Sequence, residues 1–338
     1  MAKFTVLYSE KSYADDSVER DIYGPDVRVI FPKEPTTSLA DLSDEDCAAA
    51  DALMILRYKV FAKDLERFPK LRAVCRMGVG YDNLDRVAMA ERQIMVLNVP
   101  DYGTTEVADH AIALTLALRR GLLRHVETQR ADPPAPWRYI IDPLLRRSGT
   151  QTFGIIGMGR IGTAAALRAK ALNFRVVFYD PNLPNGVELG LGIGRAKTLD
   201  ELLKQSDVLS IHAPLTPETR KMVGARELAL LPKGAVLVNT ARGPIVDIDA
   251  LPEALRSGHL AGVGLDVVPV EPPVEPVPEL LRAYRAREPW TIGRLIITPH
   301  SAYWTPESWD DIRTKSAETM RAALLGPKPQ NVIPSDSY

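Results

Sequence analysis

Thr152-Phe-Gly-Ile-Ile-Gly-Met-Gly-Arg-Ile-Gly162 is the stretch from which the fold can be read. An apolar run suited to a strand passes into Gly157-x-Gly159-x-x-Gly162, and a helix is expected to begin near Arg160. The first glycine makes a tight turn, the second lets the backbone approach a pyrophosphate, and the third packs helix against strand. Phosphates would sit at the positive end of the helix dipole, where unbonded N–H groups point outward. Three glycines alone are a weak signal. The next strand, however, Arg-Val-Val-Phe-Tyr-Asp180, ends in a carboxylate 18 positions beyond Gly162. Asp180 suits the hydroxyls of an adenosine ribose and repels a 2′-phosphate, which favours NAD(H) over NADP(H).

Outward from this unit the same rhythm continues in both directions. β-type apolar runs stand at residues 4–8, 27–31, 52–56, 71–76, 95–98, 152–157, 176–179, 208–212, 235–239, 262–267 and 295–298, with helical stretches between them. Strands alternating with helices argue for parallel βαβ units. Most runs are continuously apolar, as expected when helices cover both faces of a sheet. The class is therefore α/β, doubly wound. At 338 residues the chain exceeds what one core usually accommodates, so two domains are expected. A helix over residues 105–120, with Val107, Ala111, Leu114 and Leu118 at helical spacing, is long enough to bridge them. Residues 131–150 and 269–278 are Pro-rich and read as loops.

Composition narrows the partners. Charged residues make up 25% and the formal charge is −1, and no basic block interleaved with aromatics offers a footprint for nucleic acid. No apolar run approaches the length of a membrane span, and residues 1–13 lack the core of a signal peptide. Two isolated cysteines, Cys47 and Cys75, read as core thiols in a reducing cytoplasm, and no metal site is expected. A small ligand is the expected partner.

Ligands in open α/β sheets bind at the carboxyl edge of the strands. Strand ends there supply His212-Ala213-Pro214, Asn239-Thr240-Ala241-Arg242 and Asp266. Hydride transfer at a carbinol carbon needs a proton-exchanging group, a cation for a carboxylate and a partner to tune the base. His300, directly after an apolar strand in Leu-Ile-Ile-Thr-Pro-His300, is the candidate acid/base. Arg242 presents a planar fork of donors suited to a 2-keto carboxylate. Glu271, five residues after Asp266, would orient the His300 ring and stabilise imidazolium. His110 and His125 read as structural, and His259 as a helix-end residue.

These residues resemble a known family. Arg76-Met-Gly-Val-Gly-Tyr-Asp-Asn-Leu-Asp85, Asn98-Val-Pro100, Glu106-x-Ala-Asp109, the glycine fingerprint, His212-Ala-Pro-Leu-Thr216, Asn239-Thr-Ala-Arg-Gly243, Asp266-Val267 and Thr298-Pro-His300 are together similar to the D-isomer-specific 2-hydroxyacid dehydrogenases. The stretch around residues 52–72 and Pro299-His-Ser-Ala-Tyr-Trp304 look closest to the C-terminal binding protein branch.

The resemblance implies a Rossmann-type NAD-binding domain, 104–305, inserted in a flavodoxin-like substrate domain, 1–103 with 306–338, and an active site between the two. It implies Arg242, Glu271 and His300 as catalytic, the backbone of Val79 and Gly80 as a carboxylate cradle, and Arg76 as a further substrate contact. Tyr303 stands where that branch sets an aromatic residue against the substrate's side chain. The expected cofactor pocket comprises Thr104, Gly157, Gly159, Arg160, Ile161, Gly162, Asp180, His212, Ala213, Pro214, Thr219, Thr240, Ala241 and Asp266. A homodimer is expected around the bridging helix.

The sequence departs from the family pattern at Asp266-Val-Val-Pro-Val-Glu-Pro272, and 29 positions separate Glu271 from His300, with an Arg-rich insertion over 280–293 that includes Trp290. The expected activity is an NAD-dependent 2-hydroxyacid dehydrogenase, or 2-ketoacid reductase, acting on an apolar substrate. The alternative is an NAD(H)-sensing scaffold.

Overall fold

The computed structural model describes residues 2–335, and all eleven runs read as strands form strands in it. They are β1 Phe4–Tyr8, β2 Val27–Ile30, β3 Ala52–Ile55, β4 Ala73–Arg76, β5 Met95–Asn98, β6 Thr152–Ile156, β7 Arg175–Tyr179, β9 Val208–Ile211, β10 Ala235–Asn239, β11 Leu260–Leu265 and β12 Leu295–Ile297, with the two-residue β8 Gly194–Arg195 in addition. They make two wholly parallel sheets, one in each of two units.

The first unit takes the chain up to Tyr102 and from Trp304 onward. Its sheet has the order β2-β1-β3-β4-β5. Leu7, Leu53, Ile55, Val74, Leu65 and Phe68 are buried together on one face. Each such side chain contributes about 1.5–3 kcal/mol relative to exposure. The C-terminal helix Pro306–Leu325 belongs to this unit because Arg313 forks onto the fully buried Glu19 of helix Ser17–Tyr23, Nε to Oε1 at 2.8 Å and Nη2 to Oε2 at 2.7 Å. After that helix, Ile333 N donates to Val96 O, so the chain runs back along β5. Strand order reverses between β1 and β3. There the buried Glu10 carboxylate accepts Leu56 N at 2.9 Å and Arg57 N at 2.7 Å.

The second unit, Gly103–Tyr303, holds the order β12-β11-β10-β9-β6-β7-β8. Strands β6, β9, β10 and β11 are buried along their whole length, which explains their unbroken apolar sequence. Strand order reverses between β6 and β9, so the loops after these two strands open a crevice at the carboxyl edge.

The helix expected over 105–120 is Thr104–Arg119. Its apolar positions Val107, Ala111, Ile112, Leu114 and Leu118 are all buried within the unit, against helix Arg160–Ala171 and strands β10 and β11. This helix therefore uses these apolar positions within the unit. Exposed apolar side chains instead follow it: Leu122, Leu123, Val126, Trp137, Tyr139 and Ile141, with Trp137 and Ile141 each 94% exposed.

The insertion over 280–293 is not an extended loop. It contains helix Glu279–Arg285, whose Leu280, Leu281 and Ala283 are buried, and the guanidinium of Arg256 stacks over Trp290 at 4.6 Å. Cys47 and Cys75 are buried and unpaired. Among the described residues no helix is long and apolar enough to cross a membrane, and no cluster of side chains could hold a metal ion.

Candidate active site

The crevice between β6 and β9 is shaped by close approach. A Cβ on Gly157 would lie 2.6 Å from Ala213 N, and one on Gly162 would lie 2.1 Å from Gly157 O, so only glycine lets the two loops and the helix meet. Gly159, by contrast, has nothing within 4 Å on its side-chain face. It caps helix Arg160–Ala171 without a side-chain partner, which leaves the first amides, including those of Arg160 and Ile161, available to an anion.

Asp180, just past β7, accepts Met158 N through Oδ2 and Asn182 N through Oδ1, both at 2.9 Å. Each oxygen keeps a lone pair for a hydroxyl donor. His212 follows β9, and its Nε2 lies 2.8 Å from Ser210 Oγ. Burial of the ring holds its pKa down to about 4. Its Nδ1 and the Thr240 hydroxyl are buried polar atoms without a partner among the described residues. Thr219 Oγ1 accepts Thr216 N and donates to Pro214 O, fixing the loop from His212 through Pro214. Ala241 N is held by Asn239 Oδ1 at 3.0 Å. A fingerprint open at Gly159, an acceptor at Asp180 and two orphaned polar atoms fit a dinucleotide. Thr104 begins the helix Thr104–Arg119 of the same unit.

A second cluster stands at the ends of β10, β11 and β12. His300 Nδ1 and Glu271 Oε2 are 2.5 Å apart, and Glu271 Oε1 accepts Val268 N at 2.8 Å. Burial pushes the Glu271 carboxyl up, but the bond and charge of His300, the Val268 amide and the charge of Arg242 outweigh it. The net direction is down. Arg242 comes this close because a Cβ on Gly243 would lie 2.0 Å from the Val268 carbonyl carbon, so glycine lets the two loops touch. Tyr303 meets the His300 ring edge-on, centroids 6.3 Å apart.

His300 has a φ of +51°, a left-handed conformation that costs a residue with a side chain about 1 kcal/mol or more and persists only where neighbours impose it. Asp266 imposes it here. Its carboxylate is buried and accepts Ser301 N at 2.9 Å, Ala302 N at 3.0 Å and Thr298 Oγ1 at 2.6 Å, while its carbonyl accepts His300 N at 2.7 Å.

In the first unit, Arg76 ends β4, and the amides of Val79 and Gly80 make no hydrogen bond among the described residues. Asn98 Nδ2 donates to Val79 O at 2.7 Å and fixes that turn. One cavity of about 320 Å³ lies apart from these groups, lined by Arg119, Arg120, Arg146 and Arg147 with Phe174 near the amino edge of β7.

A family model described as D-isomer specific 2-hydroxyacid dehydrogenase, NAD binding domain, matches residues 112–302. The glyoxylate reductase of Korarchaeum cryptofilum is 37% identical over 293 residues, 86% of this chain and 83% of that one. This chain belongs to the D-isomer specific 2-hydroxyacid dehydrogenase family. It is an NAD-dependent oxidoreductase acting on the CH–OH group of 2-hydroxyacids. The D-3-phosphoglycerate dehydrogenase of Methanocaldococcus jannaschii is 34% identical over 285 residues, covering 84% of this chain; the match spans about half, 52%, of that longer relative. Among solved structures, the glyoxylate reductase from Paecilomyes thermophila superposes over 100% of both chains with a TM-score of 0.85 at 28% identity. The likeness defines the family and not a branch within it.

Against this dehydrogenase background, Arg76, Val79 and Gly80 lie in the first unit, and most of the other residues the sequence singled out form two groups in the second. The glycine loop, Asp180, His212, Ala213, Pro214 and Thr219 gather at the β6/β9 crevice. Arg242, Glu271, His300 and Tyr303 gather at the neighbouring strand ends. His110, read from sequence as structural, lies against Thr298, with Nε2 3.0 Å from Oγ1. His259 Nε2 lies 2.8 Å from Leu228 O.

Proposed function

We propose that the chain reduces 2-keto acids with NADH, and oxidises the corresponding D-2-hydroxy acids, through His300, Glu271 and Arg242. The observation that carries this reading is the contact between His300 Nδ1 and Glu271, which commits one ring nitrogen and leaves Nε2 for the substrate. The nicotinamide supplies or accepts the hydride at C2. His300 Nε2–H gives its proton to the C2 oxygen during reduction and takes it back during oxidation. Glu271, ionised because its pKa is held down, orients the ring and stabilises its protonated form. Arg242 offers a bidentate fork to the substrate carboxylate. In the first unit, Arg76 and the amides of Val79 and Gly80 are assigned the same kind of ligand.

For the cofactor, Thr104, the 157–162 loop, Asp180, the 212–214 loop, Thr219, Thr240, Ala241 and Asp266 are assigned to NAD, and Asp180 selects it over NADP. Tyr303, beside His300 and carrying no charge, is assigned to the substrate's side chain. The substrate is accordingly a 2-keto acid with an apolar group at C3. The chain is assigned to a homodimer formed through the exposed apolar stretch 122–141, and its buried unpaired thiols suit a reducing cytoplasm.

The deciding experiment is NADH oxidation across glyoxylate, pyruvate, 2-ketobutyrate, 2-ketoisocaproate and phenylpyruvate. Each added methylene is worth about 0.8 kcal/mol, so kcat/KM should climb about fourfold per carbon until the pocket fills. A series in which glyoxylate is best and longer acids decline steadily removes Tyr303 from substrate recognition. No turnover with any member removes the proposal.

A further inference from the structure

His110 sits on helix Thr104–Arg119, its side chain one-quarter exposed, 188 positions in sequence from the group it meets. The Thr298 hydroxyl lies 2.6 Å from Asp266 Oδ1, and a carboxylate can only accept, so the single hydroxyl proton points at Asp266. The Thr298 oxygen can then only accept from His110 Nε2 at 3.0 Å, and this fixes the tautomer: the proton on the His110 ring is on Nε2. The chain of donors runs from His110 to Thr298 to Asp266.

Asp266 grips the segment that carries His300 from both sides. It takes the hydroxyl of Thr298, two residues before, and the amides of Ser301 and Ala302, directly after, while its carbonyl takes the amide of His300 itself. With the His300 backbone in the left-handed region, the direction of its ring depends on these four bonds. Buried hydrogen-bonded chains polarise and orient one another, so the first donor influences the last acceptor.

We propose that His110 is a positioning residue for the reaction: by donating to Thr298 it orients that hydroxyl on Asp266 and thereby holds His300 on Glu271. This rests on the reading of His300 as the acid/base. His110 touches neither the reacting atoms nor His300. Its effect is on how often the His300 ring is presented correctly, which is read chiefly in kcat.

The test uses the full chain with NADH and the best 2-keto acid. His110→Leu removes the donor, and His110→Gln returns an N–H donor at the same reach. Misplacement of a reacting group by about an ångström costs up to roughly 100-fold, so kcat of His110→Leu should fall about 10- to 100-fold, with the KM for NADH within about threefold of wild type. His110→Gln should recover kcat to within about threefold.

Thr298→Val and Thr298→Ser guard against a folding defect. Valine should reproduce the loss and serine should not, and the double variant His110→Leu with Thr298→Val should lose less than the product of the two single losses, because the pair acts largely as one chain, with His110 Nε2 also 3.8 Å from Asp266 Oδ1. Equal kcat for His110→Leu and wild type, equal loss in the leucine and glutamine variants, or additive losses in the double variant would each overturn the inference. His300→Ala, assayed in parallel, separates the two levels. If it keeps turnover, the acid/base reading fails and the inference with it; if it is inactive while His110→Leu is normal, only the inference fails.

Discussion

Glu271 reaches His300 and Val268 with different oxygens: Oε2 lies 2.5 Å from the ring nitrogen Nδ1, and Oε1 accepts the Val268 amide at 2.8 Å. The carboxylate is thus pinned to its own loop while it holds the ring, so ring orientation is inherited from backbone. Glu271→Gln keeps the shape and removes the charge. In keto-acid reduction the variant should lose about 10- to 100-fold in kcat/KM, and the alkaline limb of its pH profile should move to lower pH, because protonated imidazole loses its counter-charge. An unmoved limb would show that the charge of Glu271 plays no part. Because the Glu271 carboxyl is held below its ordinary 4.5, its ionisation should produce no acid limb above about that pH.

His300→Ala should reduce turnover by roughly 10²- to 10⁴-fold, the usual worth of positioned proton transfer. NADH should still bind, as followed by quenching of protein fluorescence. Turnover within a few-fold of wild type would take His300 out of the mechanism.

Asp180 stands where a 2′-phosphate would bring a second negative charge. Wild-type protein should prefer NADH, and Asp180→Ala should lower the NADH/NADPH ratio of kcat/KM by about tenfold or more, equivalent to about 1.4 kcal/mol. The check is a pair of saturation curves for each protein. Equal use of both cofactors by wild type would contradict the assignment.

His212 connects the cofactor crevice to acid stability. Its pKa is depressed to about 4 in the folded chain against 6.5 for a free side chain, so between these values the unfolded state binds the extra proton. Stability from this group is complete above about pH 6.5, is lost as pH falls toward about 4, and changes no further below that. The loss should be on the order of 1–3 kcal/mol. Urea unfolding of cofactor-free protein at pH 7 and pH 4.5 measures it. His212→Gln should flatten this component, and an identical pH slope in both proteins would assign the loss elsewhere.

The exposed stretch 122–141 should mediate self-association. Light scattering at micromolar concentration should give about twice the 37.3 kDa chain mass, and Trp137→Ser with Ile141→Ser should shift the population toward monomer. A wild-type monomer under these conditions would rule the homodimer out.

Sequence revealed the strands because parallel strands covered on both faces are apolar throughout, and the glycine loop because only glycine survives contacts near 2 Å. It did not reveal β8, two residues at the sheet's edge with little to bury. Helix Glu279–Arg285 was hidden by the prolines before it, although Pro278, an acidic first turn and Arg282 and Arg285 in the last turn were the available signals. Glu271 and His300 could be paired by their chemistry, but the atoms that meet could not be read, since a contact across 29 residues is set by where β11 and β12 end. The donor from His110 to Thr298 was beyond reach for the same reason: helix packing creates it, and a lone histidine on a helix carries no mark of its partner.

The Glu10 carboxylate gives the two sheets contrasting fates. Both reverse strand order once, and at each reversal backbone amides at the carboxyl edge turn toward an open space. In the first sheet the amides of Leu56 and Arg57 are already answered by a side chain of the same polypeptide. At its reversal point that sheet has, in effect, swallowed its own anion. In the second sheet Asp180 answers only the Met158 amide of the glycine loop, and the first amides of the helix behind Gly159, which has no side chain to cap them, stay open to a visitor. A single architectural plan, used twice in one chain, thus yields one reversal point that is open and one that is closed, and the difference lies in whether the anion comes from within or from outside.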